Sequence, residues 1–267
     1  MKTTASTGQN QKRAFTLVEL VVVIAILALL AAMSLPALCK TNIKSHGLQC
    51  MSNLKSLTAA WTSWSLDFND QLLNSRSWMS GNVSDPSRLE YIDQDPASLM
   101  RTQPLNTYLR GNVKVYKCPS DSRTSTITNK LGTPVCRSVS MNNWIGFEWS
   151  PPSGFMVYKK VPDLIRPGPV NTFVFADESP LTINDGFFAM PMTTYDPLDL
   201  PNKAWVSVPA AYHSNAGNLS FADGHVEIHR WNDERTLTAV LGSITPGNLD
   251  LDWLQSKSSA KINNPTR

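Results

Sequence analysis

Residues able to hold a proton or a metal ion gather near the C-terminal end of this 267-residue chain, where His213, Asp223, His225, Glu227 and His229 share one short stretch. Nine residues separate His213 from Asp223, and Gly224 follows directly. Imidazole and carboxylate donors suit transition metals. They also suit a plain polar strand face, because residues 225, 227 and 229 alternate and alternate side chains of a strand point the same way. Two readings follow. In the structural one, His213 hydrogen-bonds near the next hairpin and fixes the loop leading into it. In the chemical one, His213, Asp223, His225, Glu227 and His229 bind a divalent metal. The polar face is the commoner outcome, so no cofactor is expected.

Other reactive groups lie further upstream. The apolar run TFVFA (172–176) reads as a buried strand ending at Asp177-Glu178. Adjacent carboxylates there can be catalytic or metal-binding, but a solvated turn is more usual. Four cysteines are present: Cys39, Cys50, Cys118 and Cys136. They form no C-x-x-C and no paired Cys/His spacing, so a structural zinc site is not expected. Cys39 and Cys50 stand about 16 Å apart along a helix axis, too far to bond, and read as lone buried thiols. Cys118 and Cys136 are better placed, and a bridge between them would add about 3 kcal/mol. The alternative is two buried thiols. The chain has no G-x-S-x-G, no Walker loop and no H-E-x-x-H, so an enzyme is not expected.

The elements that carry these residues follow from periodicity and turn chemistry. NLSFADGHVEIHRW (218–231) reads as a hairpin. Asp223-Gly224 would form a type I′ turn, which needs positive φ at both central positions. That register pairs Phe221 with Val226 and Leu219 with Ile228. Between 70 and 255, prolines, glycines and polar clusters interrupt brief apolar stretches, which implies loops and short strands. The tail from 256 to 267 is polar and reads as loose. Upstream, Leu48, Met51, Leu54, Thr58, Trp61, Trp64 and Phe68 recur at spacings of 3 and 4, the face of a helix packed on a core.

That helix continues an apolar segment. Leu20 to Cys39 carries no charge, enough to cross about 30 Å of hydrocarbon as a helix. The run is long for the apolar core of a secretory signal peptide. A lipoprotein signal ending at Cys39 is disfavoured by the bulky Leu38 before it. Residues 1–14, ahead of the run, hold Lys2, Lys12 and Arg13 and no acidic residue, which keeps the N-terminus cytoplasmic. Glu19 stands at its edge, where an unpaired carboxylate costs about 2–3 kcal/mol. A plain anchor has no need of it.

RAFTLVELVVVIAILALLAAMSLPAL (13–38) resembles the type IV prepilin cleavage and methylation signature. The resemblance implies a cut by prepilin peptidase between Ala14 and Phe15, N-methylation of Phe15, and an assembly role for Glu19. Pro36 matches a proline that kinks pilin helices. The family usually has Gly before the cut, and Ala14 implies slower processing. The His213-x9-Asp223-Gly224 element resembles a processing-associated C-terminal domain of bacterial pilin-like proteins. CPSD (118–121), SVSMNNW (138–144) and FVFADES (173–179) fit the same family.

Composition agrees with a folded domain: 42% hydrophobic, 17% charged and eight Trp. Apart from the three basic leader residues, 21 Lys and Arg face 21 Asp and Glu. Nucleic-acid binding, which needs a basic face, is not expected.

The expected protein is thus α+β, a long N-terminal transmembrane helix packed on a mainly antiparallel β-sheet domain. Its parts are a leader (1–14), a helix (15–69, spanning about 17–39), a globular domain (70–255, hairpin 213–231) and the tail. The resemblance implies a bacterial inner-membrane, single-pass subunit whose domain faces the extracytoplasmic side. It would assemble with other pilin or pseudopilin subunits into a type II secretion pseudopilus or type IV pilus-like filament. Its size favours a minor position. The alternative is a membrane-tethered binding or metal-dependent hydrolytic module that uses the signal for localisation.

Overall fold

The structure is a computed structural model that describes residues 17–79, 103–124, 132, 134–146, 154–192, 195 and 204–262, with the backbone alone for 31–43. Ala14, Phe15 and the side chains of Pro36 and Cys39 lie outside the described residues. The chain divides into two compact units, Met1–Asn42 and Ile43–Arg267. The boundary falls inside the long helix, not at its end near residue 70.

That helix, α1 (Leu17–Asp67), runs unbroken through Pro36. In the first unit the aliphatic residues described with side chains, from Leu17 to Leu30, are exposed on every side, with Leu17 77% and Leu29 63% accessible. A helix apolar all round is built for burial. The transmembrane expectation for 17–39 is nevertheless not met here: among the described residues no helix is long and apolar enough to cross a membrane. The described side chains from Leu17 to Leu30 cover only about 20 Å of the roughly 30 Å required. The remainder of the run falls among the residues described by backbone alone.

In the second unit α1 buries Gly47, Cys50, Leu54, Leu57, Thr58, Trp61 and Ser65. Leu54, Thr58 and Trp61 follow the expected stripe, but Leu48 and Phe68 are 57% and 50% exposed. The buried face is turned because Cys50, outside that stripe, has a polar partner inside, which an apolar pattern does not register. Thr58 Oγ1 donates to Ser220 Oγ at 2.6 Å. The helix ends where Asn69 and Asp70 adopt φ of 52° and 61°. Asp70 N–H then caps the Ser65 carbonyl at 2.9 Å, closing the last turn as left-handed helix caps do.

Among the described residues the sheet has five strands: β1 (Val139–Asn142), β2 (Phe173–Asp177), β3 (Phe187–Phe188), β4 (Ala216–Phe221) and β5 (Val226–Arg230). Their order is β3-β1-β2-β4-β5. Every pairing is antiparallel except β1 with β3. The fold is α+β, with the helix packing on a mostly antiparallel mixed sheet. β1, β2 and β4 are buried along their whole length, and Phe173, Phe175, Leu219 and Phe221 meet Leu54, Leu57 and Trp61 in one core. Two short helices follow, α2 (Glu234–Leu237) and α3 (Leu249–Ser256). The Asn248 side chain accepts from Leu251 N–H at 3.0 Å to start α3, an ordinary N-cap.

Three expectations are corrected. The hairpin register is shifted by one residue: Ser220 pairs with Val226 and Leu219 with Glu227. The loop has three residues, since Phe221 N–H donates to His225 O at 3.0 Å and only Gly224 has positive φ, 92°. Three-residue loops with a left-handed glycine are the next standard hairpin solution. The tail is packed as far as it is described, for Ser258 and Ser259 are buried and Lys257 O accepts from Phe173 N–H at 2.9 Å. Asp177 and Glu178 are also fully buried, because β2 lies in the middle of the sheet and carries its end into the interior. They form no solvated turn.

Candidate functional site

Four side chains from four separate parts of the second unit converge: Cys50, Cys118, Asp177 and His213. All are buried, and their donor atoms lie within 4.8 Å of one another. Cys50 Sγ donates to Asp177, 3.0 Å from Oδ2 and 3.2 Å from Oδ1. Cys118 Sγ lies 3.3 Å from His213 Nε2. The same Nε2 lies 3.9 Å from Asp177 Oδ2.

Each residue is aimed by local structure. Cys50 is on the buried face of α1. Cys118 follows a 3-10 turn (Val113–Tyr116); its N–H donates to Ser138 Oγ at 2.6 Å, and the Asn53 amide of α1 donates to Lys117 O at 3.1 Å. Asp177 closes β2, and Asn218 of β4 grips Oδ2 with its backbone N–H (3.3 Å) and side-chain amide (3.2 Å). His213 stands just before β4. Ser214 and Asn215 have φ of 58° and 62°, the doubly left-handed pair of a type I′ turn, and His213 N–H donates to Ala216 O at 3.1 Å. The turn expected at Asp223-Gly224 therefore occurs ahead of the same strand, where it points the histidine inward.

The electrostatics separate the two thiols. The interaction with Cys50, reinforced by His213, holds Cys118 down at about 5. The hydrogen bond to Cys118 and then burial push Cys50 well up. Burial pushes Asp177 up to about 7. Burial also acts to lower His213, but its hydrogen bond with Cys118 and the nearby Asp177 outweigh this and raise it.

Cysteine, histidine and aspartate together invite comparison with a nucleophilic triad. The geometry is wrong for one. In a triad the carboxylate orients the ring through the nitrogen remote from the nucleophile. Here thiol and carboxylate approach the same Nε2, and Nδ1 has no hydrogen-bond partner among the described residues. Cys118 is also 0% exposed, so no substrate reaches it. The four donors close around one interior point.

The residues singled out in the sequence are split by this arrangement. His213 belongs to the cluster, whereas Asp223 sits at the opposite end of β4, about 17–20 Å away at the rise of a six-residue strand. Asp223 serves its own turn, with Oδ1 accepting from His225 N–H at 3.1 Å and lying 2.6 Å from His225 Nδ1. His213 lies in the turn that enters the hairpin, where its backbone N–H bonds Ala216 O, while its ring faces the cluster and not Asp223. His229 stacks on Trp253 with ring centroids 3.6 Å apart, so the five-residue metal set does not assemble. The Cys118–Cys136 bridge is likewise absent, because the Cys118 sulfur is turned toward His213. The sequence did hold a signal for the true grouping: Cys118, Asp177 and His213 each lie in one of the short family-like motifs, and Cys50 lies on the helix they face.

Residues 9–35 match the family model described as the prokaryotic N-terminal methylation motif. No curated protein and no solved structure matches the chain. The matched segment contains Ala14, Phe15 and Glu19, supports a prepilin-like protein, and implies processing by prepilin peptidase.

Proposed function

We propose that this chain is a prepilin-like structural subunit that assembles into a type II secretion pseudopilus or type IV pilus-like filament. The observation that carries the reading is the methylation motif at 9–35, continued by a helix whose apolar residues from Leu17 to Leu30 are exposed all round. Such a surface needs lipid or neighbouring helices as its surroundings. Prepilin peptidase cuts between Ala14 and Phe15 and methylates Phe15. The helix anchors the chain in the inner membrane with its N-terminus cytoplasmic and its second unit on the extracytoplasmic side. In the filament Glu19 of one subunit pairs with the Phe15 ammonium of the next, and the cost of a mismatched charge in low dielectric sets the register. The role is structural and not enzymatic, and the subunit occupies a minor position.

Mass spectrometry of the native N-terminus tests this. Chains beginning at methylated Phe15 are expected, and a mature chain still beginning at Met1 refutes the processing step. Glu19→Ala is expected to abolish incorporation into filaments while leaving cleavage intact. Normal incorporation of that variant refutes the assembly role.

A further inference from the structure

We propose that Cys50, Cys118, Asp177 and His213 bind one zinc ion in a closed, tetrahedral structural site that fastens α1 to the sheet. Zinc is held by Cys sulfur at about 2.3 Å and by His nitrogen or carboxylate oxygen at about 2.0–2.2 Å. A tetrahedron with such bonds has donor atoms about 3.3–3.8 Å apart. The distances here bracket that range: 3.0 Å from Cys50 Sγ to Asp177 Oδ2, 3.3 Å from Cys118 Sγ to His213 Nε2 and 3.9 Å from His213 Nε2 to Asp177 Oδ2. Every donor is within 4.8 Å of the others, so small rotations of side chains already in place complete the shell.

The donor chemistry selects the metal. Two sulfurs disfavour magnesium and calcium, which take oxygen ligands. Two sulfurs, one imidazole and one carboxylate in four-fold array suit zinc. Four protein donors leave no position for water or substrate, which marks a structural and not a catalytic centre. A supporting shell is present as well. Asn218 holds Asp177 Oδ2 with two N–H donors, and Ser138 Oγ fixes the Cys118 backbone. Such partners orient metal ligands.

A divalent ion also explains why the site is tolerated. Two thiols, a carboxyl and an imidazole are buried together with little else to balance their charge. Binding displaces whatever protons the ligands still carry to solvent and sets one divalent cation against two thiolates and a carboxylate. The ligands come from α1, the segment before β1, the end of β2 and the turn before β4. One ion would therefore join parts of the chain up to 163 residues apart, from Cys50 to His213. The site does not depend on filament assembly.

The test uses the full chain purified in detergent. Wild type is expected to carry about one equivalent of zinc per chain, and added Co(II) should give tetrahedral bands with thiolate charge transfer. Cys118→Ser and Asp177→Asn should lose most of the metal, whereas Cys136→Ser should retain it. Should the ligand variants fold poorly, wild type decides the matter alone. Stripping with a chelator should lower its Tm by several degrees, and zinc but not magnesium should restore it. Less than about a tenth of an equivalent after zinc loading, or a Co(II) adduct without thiolate bands, overturns the proposal. Equal metal loss in Cys136→Ser and Cys118→Ser also overturns it.

Discussion

Cys50 Sγ lies 3.0 Å from Asp177 Oδ2, a contact between α1 and the end of β2 that spans 127 residues of sequence. It makes the helix face specific. Apolar packing of Leu54, Leu57 and Trp61 would tolerate small rotations of α1, but a buried carboxylate that needs donors does not. Thr58 and Ser220 add a second polar contact two turns on, at 2.6 Å.

Removing the carboxylate should therefore be costly. Asp177→Ala leaves the Cys50 thiol and both Asn218 donors without their acceptor. Buried donors left unmatched cost about 1–3 kcal/mol each, so a loss of at least about 3 kcal/mol is expected from urea denaturation of the variant. A loss below about 1 kcal/mol would mean that Asp177 is not the hub of the cluster.

His213 and Asp223 share a motif but occupy separate environments, and their variants should differ accordingly. His213→Ala removes a buried ring between Cys118 and Asp177, and a cost of about 2–4 kcal/mol is expected. Asp223 has 35% of its side chain exposed and bonds only within its own turn. Asp223→Ala should cost less than about 1 kcal/mol. Thermal denaturation of both variants checks this, and equal losses would contradict the separation of the two residues.

The parts of this architecture that were legible in the sequence are those with local causes. The strand TFVFA is set by its own apolar and β-branched residues, and β2 occupies Phe173–Asp177. The helical spacing of Leu54, Thr58 and Trp61 likewise specified their burial. The hairpin register was not legible, because Asp-Gly serves a two-residue or a three-residue loop and only the backbone decides between them. The cluster was still less so. Cys50, Cys118, Asp177 and His213 have no fixed spacing, since each is delivered by a different element and long-range pairing of α1, β2 and β4 brings them together. Spacing rules for zinc sites describe ligands on one or two adjacent turns, which is why they pointed away from zinc here.

His229 supplies a pH dependence away from the cluster. Its ring stacks on Trp253 at 3.6 Å and lies 4.7 Å from Trp231. Burial holds the imidazole below its ordinary value of 6.5, while Glu227 and Asp250 partly oppose this and Lys257 adds to it. With the folded value depressed, the unfolded chain binds more protons below about pH 6.5. Stability from this residue is therefore complete above that pH and is lost as the pH falls. His229→Gln should lose less Tm than wild type between about pH 7.5 and 5.5. An identical or larger loss in the variant would show that protonation of His229 does not oppose folding.

Thiol labelling distinguishes chemical reactivity from access. Cys118 is held down at about 5, which favours the thiolate, and thiolates are the reactive form. Were reactivity decisive, Cys118 would label first. Cys118 and Cys50 are both 0% exposed, however, whereas Cys136 is only partly buried. Labelling of the two buried thiols must wait for local opening, whose free energy in a packed core approaches that of global unfolding. Peptide-level mass spectrometry after a brief alkylation should find Cys136 modified at least about a hundredfold faster than Cys118 or Cys50. Fast modification of Cys118 would place its sulfur at the surface and remove the closed site on which the fastening of α1 depends. If the two buried thiols instead become reactive together, and only after a chelator is added, the same ion protects both.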